Sequence, residues 1–187
     1  MHFSKPYFFI FAFLFHPISE GAALPTNILK QLPPGYEVLS QQSGKLNDDD
    51  LTDYLVVLHQ KNEEQITRKT THAPLRPLLI FIQTREGNFK LVRRNDSVVF
   101  RIDEGEQCDP FEDGMEGLAV KNGFFTIQHN VACGQHWIDF ITFRYDPTLQ
   151  DWVFHKRVSE SWVLNPSDKP DAEALISKGG VGEKRLA

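Results

Sequence analysis

The chain is short of cysteine, of concentrated charge and of helical periodicity, and each shortage excludes something. It has two cysteines, Cys108 and Cys133, in 187 residues, too few for a cysteine-cage zinc site built from paired thiolates. The formal net charge is -5, and the densest basic cluster is Arg93-Arg94. Phosphate contact needs a concentrated basic face, so nucleic acid is excluded as a partner class. No Gly-x-Ser-x-Gly frame surrounds Ser159, Ser161 or any other serine, which removes the commonest serine-nucleophile geometry. Only one long apolar run exists, Tyr7 to Phe15, and it falls well short of the ~20 residues that span a bilayer.

That run sits in a recognisable context. Lys5 precedes it, Pro17 breaks it, and Gly21-Ala22-Ala23 supplies the small residues a signal peptidase reads. Residues 1–23 are therefore expected to be a cleaved secretory signal, an uncleaved anchor being the alternative, and no further transmembrane anchor is expected. Loss of that segment removes one Lys and one Glu, leaving the net charge unchanged. An exported location, periplasmic or secreted, is therefore expected. Residues 24–165 are then long enough for a single domain with a real core. Residues 166–187 read as a polar, disordered tail, a transient helix over Ala172 to Lys178 being the alternative.

An even cysteine count in an exported chain suggests a disulfide. Asn122-Gly123 is the strongest hairpin signal here, because both central residues of a type I′ turn need positive φ. Strands around that turn pair so that residue numbers sum to 245, which sets Cys133 opposite position 112, close to Cys108. A Cys108–Cys133 bridge is worth ~3 kcal/mol on the loop-entropy account. The competing reading is a metal site from His129, Cys133 and His136.

Strand patterns dominate the remainder. Tyr36 to Gln41, Tyr54 to Leu58, Pro77 to Ile82, Phe89 to Arg93 and Val98 to Ile102 are expected in the first half. Met115 to Val120, Phe124 to Val131, His136 to Tyr145 and Trp152 to Val158 are expected in the second. A polar stretch, Gln60 to Leu75, separates the second and third strands and is long for a connection. In His136 to Tyr145, one face carries Trp137, Ile141, Phe143 and Tyr145 with Asp139 among them. Two small antiparallel meanders can bury their apolar faces only against each other, so the expected fold is all-β, a sandwich or distorted barrel of propeller-blade-like units.

Between the first two strands lies an acidic loop. Asn47, Asp49 and Asp53 occupy the third, fifth and ninth positions of a cation-wrapping loop, but Lys45 stands at the first, where a carboxylate is usual. Gly44-x-Leu46-Asn47-x-Asp49-x-x-x-Asp53-Tyr54 followed by Leu55-Val56-Val57-Leu58 resembles the loop and strand of integrin-type FG-GAP, or VCBS-type, repeats. Arg76-Pro77-Leu78-Leu79-Ile80, Asp109-Pro110-Phe111, Asn122 to Ile127 and Thr142-Phe143-Arg144-Tyr145 resemble uncharacterised bacterial exported proteins carrying one such loop. The likeness covers about residues 34 to 158. It implies calcium held by Asn47, Asp49 and Asp53 with the Leu51 carbonyl, a role that rigidifies a turn and performs no chemistry. Propeller closure needs at least four blades, and this chain has residues for about two. Lys45 removes one ligand and adds repulsion, so the expectation is no cofactor, with Lys45 bridging Asp49 and Asp53 in place of calcium.

No residues assemble into a catalytic motif. The acidic pairs Asp103-Glu104 and Glu112-Asp113, with Glu106, Asp109 and Glu116, read as hydrated loops, although two carboxylates flanking a bond would suit a glycosidase. His59, His129, His136 and His155 lack metal-ligand spacing. Trp137, Trp162 and Tyr145, with Arg144 beside them, are the candidate binding residues, since flat aromatics bury area at small entropic cost. Trp137 and Trp152 also have a plain reading as core. The expected function is a non-catalytic exported domain binding a protein or envelope component, in the manner of an inhibitor or immunity protein. The alternative is a glycan-binding module or weak cell-wall hydrolase.

Overall fold

The computed structural model describes residues 23–70, 72–106, 108–111, 117–133, 136–162, 175–179 and 186. Residues 1–22 of the expected signal segment 1–23 lie outside them. Among the described residues no helix is long and apolar enough to cross a membrane. Two antiparallel sheets make up the fold. The first is four-stranded in the order β1 (Tyr36–Gly44), β2 (Asp53–Gln60), β3 (Leu78–Gln83), β4 (Phe89–Asn95). The second is five-stranded: β5 (Leu118–Lys121), β6 (Phe124–Val131), β7 (His136–Asp146), β8 (Asp151–Trp162), β9 (Leu175–Gly179). Neither sheet closes into a barrel.

The sheets pack as a sandwich because alternate residues of each are apolar. Leu55, Val57, Leu78 and Ile80 of the first sheet share one core with Leu118, Phe125, Ile127, Ile141, Phe143 and Trp152 of the second. The first sheet is apolar on its other face too. There Val56, Leu58, Leu79 and Phe81 are covered by Ile28 of a one-turn helix, α1 (Thr26–Leu29), with Leu24 and Leu32 beside it. Strand β2, expected over Tyr54 to Leu58, is thus buried on both faces.

The Asn-Gly turn behaves as its chemistry requires. Asn122 and Gly123 have φ of 50° and 76°, and β5 and β6 pair with Leu118 opposite Ile127 and Lys121 opposite Phe124, the register expected from the turn alone. Cys108 and Cys133 form a disulfide. With the thiolate consumed, the alternative metal site at His129, Cys133 and His136 is ruled out.

Three local expectations fail. Val98 to Ile102 is a run of bends and turns instead of a strand. The Asn95 side-chain oxygen takes the N–H groups of Ser97 and Val98 at 3.0 and 2.8 Å, and Phe100 gives its N–H to His129 Nε2 at 3.0 Å. Donors committed to side chains cannot build a ladder. The polar stretch Gln60 to Leu75 folds at its centre into α2 (Glu63–Lys69). Glu63 and Glu64 occupy its first turn and Arg68 and Lys69 its last, the arrangement the helix dipole favours. Within the expected tail, residues 175–179 are a strand on the edge of β8 and not part of a helix, and Leu186 is buried in the shared core; residues 166–174, 180–185 and 187 lie outside the described residues. An unpaired β8 edge would leave a row of open donors and acceptors, and β9 satisfies them.

Candidate functional site

The acidic loop is built into the junction of the two sheets. Trp152 Nε1 donates to the Leu46 carbonyl at 2.7 Å, and Gly123 N–H to the Lys45 carbonyl at 2.9 Å. Inside the loop, Asn47 Oδ1 accepts from Asp49 N–H at 3.0 Å, Asn47 Nδ2 donates to Asp49 Oδ2 at 2.9 Å, and Asp49 Oδ1 accepts from Leu51 N–H at 2.8 Å. Asp53 is fully buried and accepts from Leu46 N–H and Gln83 N–H, both at 3.0 Å. Burial pushes its carboxyl up to about 6, against the pull of those two backbone donors, and Asp49 adds repulsion. The expected Lys45 bridge to Asp49 and Asp53 is not formed. Lys45 Nζ instead meets Asp50 at 2.6 Å on the surface, where the ammonium keeps its hydration. Reaching Asp53 would have required burying it. Among the described residues no three His, Cys, Asp or Glu side chains gather as a metal site.

The four binding candidates do not converge. Tyr145 and Arg144 lie at one end of β7 and Trp137 at the other, about 26 Å away at ~3.3 Å per residue. Tyr145 tilts against buried Trp152 with ring centroids 5.2 Å apart, and Arg144 meets Asp146 at 3.5 Å. Trp162 closes β8 with its backbone opposite His136, and its side chain lies outside the described set. Trp152 fills the core as its plain reading required, whereas Trp137 does not.

Trp137 instead forms a wall of a recess of about 340 Å³ with Phe100, Asp139, Arg157, Ser159 and Ser161. Strand register explains the grouping. Asp139 sits opposite Ser159, Ile141 opposite Arg157 and Trp137 opposite Ser161, so these five strand residues of the lining project from the face that elsewhere makes the core, and Phe100 reaches them from the loop after β4. At this end polar side chains replace apolar ones. Asp139, 2% exposed, accepts from Arg157 Nε at 2.8 and 3.0 Å and from the Ser159 hydroxyl at 2.5 Å. His129 lies fully buried behind it, its ring stacked on Phe100 at 4.1 Å. Nε2 accepts from the Phe100 backbone, so the imidazole proton belongs on Nδ1, 4.0 Å from Asp139 Oδ2. Burial lowers this histidine to about 4, with Asp139 opposing and Arg157 and Arg76 assisting. Ser159 gives its proton to a carboxylate, and the ring nitrogen able to act as a base faces a backbone N–H. The three groups are thus not lined up as a nucleophile relay.

A second, shallower recess of about 380 Å³ opens on the outer face of the second sheet. It is lined by Lys121, Asn122, Phe124, Thr126, Thr142, His155 and Lys156, a set with cations and no carboxylate. Phe124 is 39% exposed and meets His155 edge-on at 5.2 Å. His155 is the extra residue where the β7–β8 register shifts between Thr142 and Phe143. Arg144 is the cross-strand partner of Phe124, which places one sequence candidate beside this surface.

A third cluster is structural. The Arg76 guanidinium, buried in the core, bonds Glu63 of α2 through Nε and Nη2, and clamps Asp109 through Nη1 and Nη2 at 2.6 and 2.5 Å. Burial opposes its charge, but the bonds to Asp109 and Glu63 hold its pKa above the ordinary value.

Sequence reasoning missed Phe100, Arg157, Ser159 and the basic outer face. Asp139 on an otherwise apolar strand face was the available signal, since a carboxylate buried there needs donors. Fold and surfaces together define a two-sheet antiparallel β-sandwich closed by one disulfide. No protein-family model, curated protein or solved structure matches the chain.

Proposed function

We propose that this is an exported, non-catalytic binding domain that engages a protein partner in the bacterial envelope, as an inhibitor or immunity protein would. One observation carries the reading: the outer face of the second sheet offers an exposed phenylalanine flanked by Lys121, Lys156 and His155, with the Asp146-paired Arg144 across the strand, on a chain that is acidic overall. An apolar anchor inside a basic rim suits an acidic protein surface, with charge steering the encounter and the ring supplying the buried contact. The sheet beneath is rigid and needs little reordering on binding. The single acidic loop, similar to those of exported FG-GAP-type proteins, belongs to this proposal as a structural brace between the sheets, without a cofactor. The protein-partner reading is preferred to the glycan alternative because Tyr145 packs on Trp152 at the opposite end of β7 from Trp137, so the candidate aromatics form no continuous stacking platform.

Site-specific photo-crosslinking in cells tests the proposal. A crosslinker replacing Phe124 is expected to capture one discrete partner. Lys121→Glu with Lys156→Glu should abolish that capture, and a crosslinker at exposed Leu149 should not reproduce it. Equal capture from both positions, or capture indifferent to the charge reversal, would overturn the assignment.

A further inference from the structure

The geometry points to a second binding site, independent of the outer face: the recess between Phe100 and Trp137 takes a monoanionic carboxylate carried on an aromatic or apolar group, with Arg157 as its reader. Arg76 shows what a completed guanidinium looks like in this molecule. Its Nε edge bonds one carboxylate, Glu63, and its Nη1–Nη2 edge clamps a second, Asp109. Arg157 has only the first half. Its Nε bonds Asp139, while neither Nη group has a partner among the described residues, and its side chain is 47% exposed.

The remainder of the recess matches the rest of such a ligand. The Arg157 guanidinium carbon lies 6.0 Å from the Phe100 ring centroid, within range of a cation–π contact that holds the group flat. Trp137 supplies an apolar wall, and its ring lies 6.0 Å from that of Phe100. A recess of about 340 Å³ suits one aromatic side chain or a small aryl acid. Asp139 neutralises the charge of Arg157, so a carboxylate is held by a planar pair of charge-assisted bonds and not by net field. Glu160 also lines the recess and disfavours a second negative charge. Two sources share this chemistry, a free aryl carboxylate and the terminal residue of a polypeptide.

Hydrocinnamate and an acetylated Gly-Gly-Phe peptide are the probes, each paired with its uncharged amide. Binding is followed on full-length protein through the Trp137 indole and Arg157 Nε resonances. At least one acid is expected to shift both signals saturably, with its amide weaker by roughly tenfold or more, the value of a charge-assisted bond. The small acid alone would identify a free carboxylate as the source, and the peptide alone a chain terminus. Arg157→Gln should reduce affinity by a similar factor. Arg157→Lys, which keeps the charge and loses the fork, should fall several-fold even if the glutamine variant does not fold. Equal binding of acid and amide, no saturable shift by either acid, or undiminished binding by a folded Arg157 variant would overturn the site. None of these outcomes depends on crosslinking at Phe124.

Discussion

Two buried ionisable residues pull the pH dependence of stability in opposite directions. Asp53 holds its proton up to about 6 in the folded protein against an ordinary 3.8. Its contribution is therefore complete below the unfolded value and is lost as pH rises through about 6. His129 is lowered to about 4 from 6.5, so its contribution is present above 6.5 and is lost as pH falls through about 4. Asp139, Arg157, Arg76 and Asp109 all act on that ring, with burial the largest effect. Relative to the parent, His129→Gln should gain stability as pH falls from 6.5 to about 4, and Asp53→Asn should lose it. Urea midpoints across that interval measure both differences. Curves parallel to the parent would mean that neither group titrates as described.

At the level of elements, the contact between the sheets at β1 and β5 depends on a missing side chain. A Cβ on Gly44 would stand 2.6 Å from Val120 Cγ1, closer than packed carbons tolerate. Gly44 has an ordinary φ, so the requirement is one of space and not of backbone freedom. Gly44→Ala should destabilise by about 1–3 kcal/mol, the usual cost of overpacking. Adding Val120→Ala should recover part of that loss, giving a favourable coupling in a double-mutant cycle. Strictly additive losses would contradict this packing. The same junction explains why the acidic loop is so ordered: Trp152 and Gly123 grip its backbone from the opposite sheet, whatever its carboxylates do.

For the whole molecule, the sandwich has one shared core and one covalent tie, 25 residues apart in sequence. Reducing Cys108–Cys133 should lower unfolding free energy by about 2–4 kcal/mol. Both sheets should still melt together, because neither can bury its inner face alone. Amide exchange at Val56 in the first sheet and Ile127 in the second should report the same opening free energy before and after reduction. Independent melting of the sheets would refute the single-core description. Surface function divides along the same architecture. One face of the first sheet is sealed by the α1 segment, which leaves the outer face of the second sheet and the far end of its inner face for recognition.

Much of this architecture was legible in local chemistry. Period-two apolar patterning marked the principal strands, and the positive φ demanded by Asn122-Gly123 set the β5–β6 register and brought the cysteines within reach of each other. These are short-range constraints, in which neighbours along the chain decide the outcome. Val98 to Ile102, α2 and β9 differ from the periodic reading because the groups that fix them carry no period: Asn95 and His129 take the N–H groups of Val98 and Phe100, Arg76 bonds the Glu63 carboxylate of α2, and β8 pairs with β9. The recess has the same origin. Asp139 announced a buried carboxylate, but its pairing with Arg157 and Ser159 follows from the β7–β8 register, and its aromatic wall from a loop some forty residues earlier. The sequence by itself determined two antiparallel layers and a disulfide. Only the tertiary structure decided which polar groups meet, because a side chain's partners depend on register and packing that no local spacing encodes.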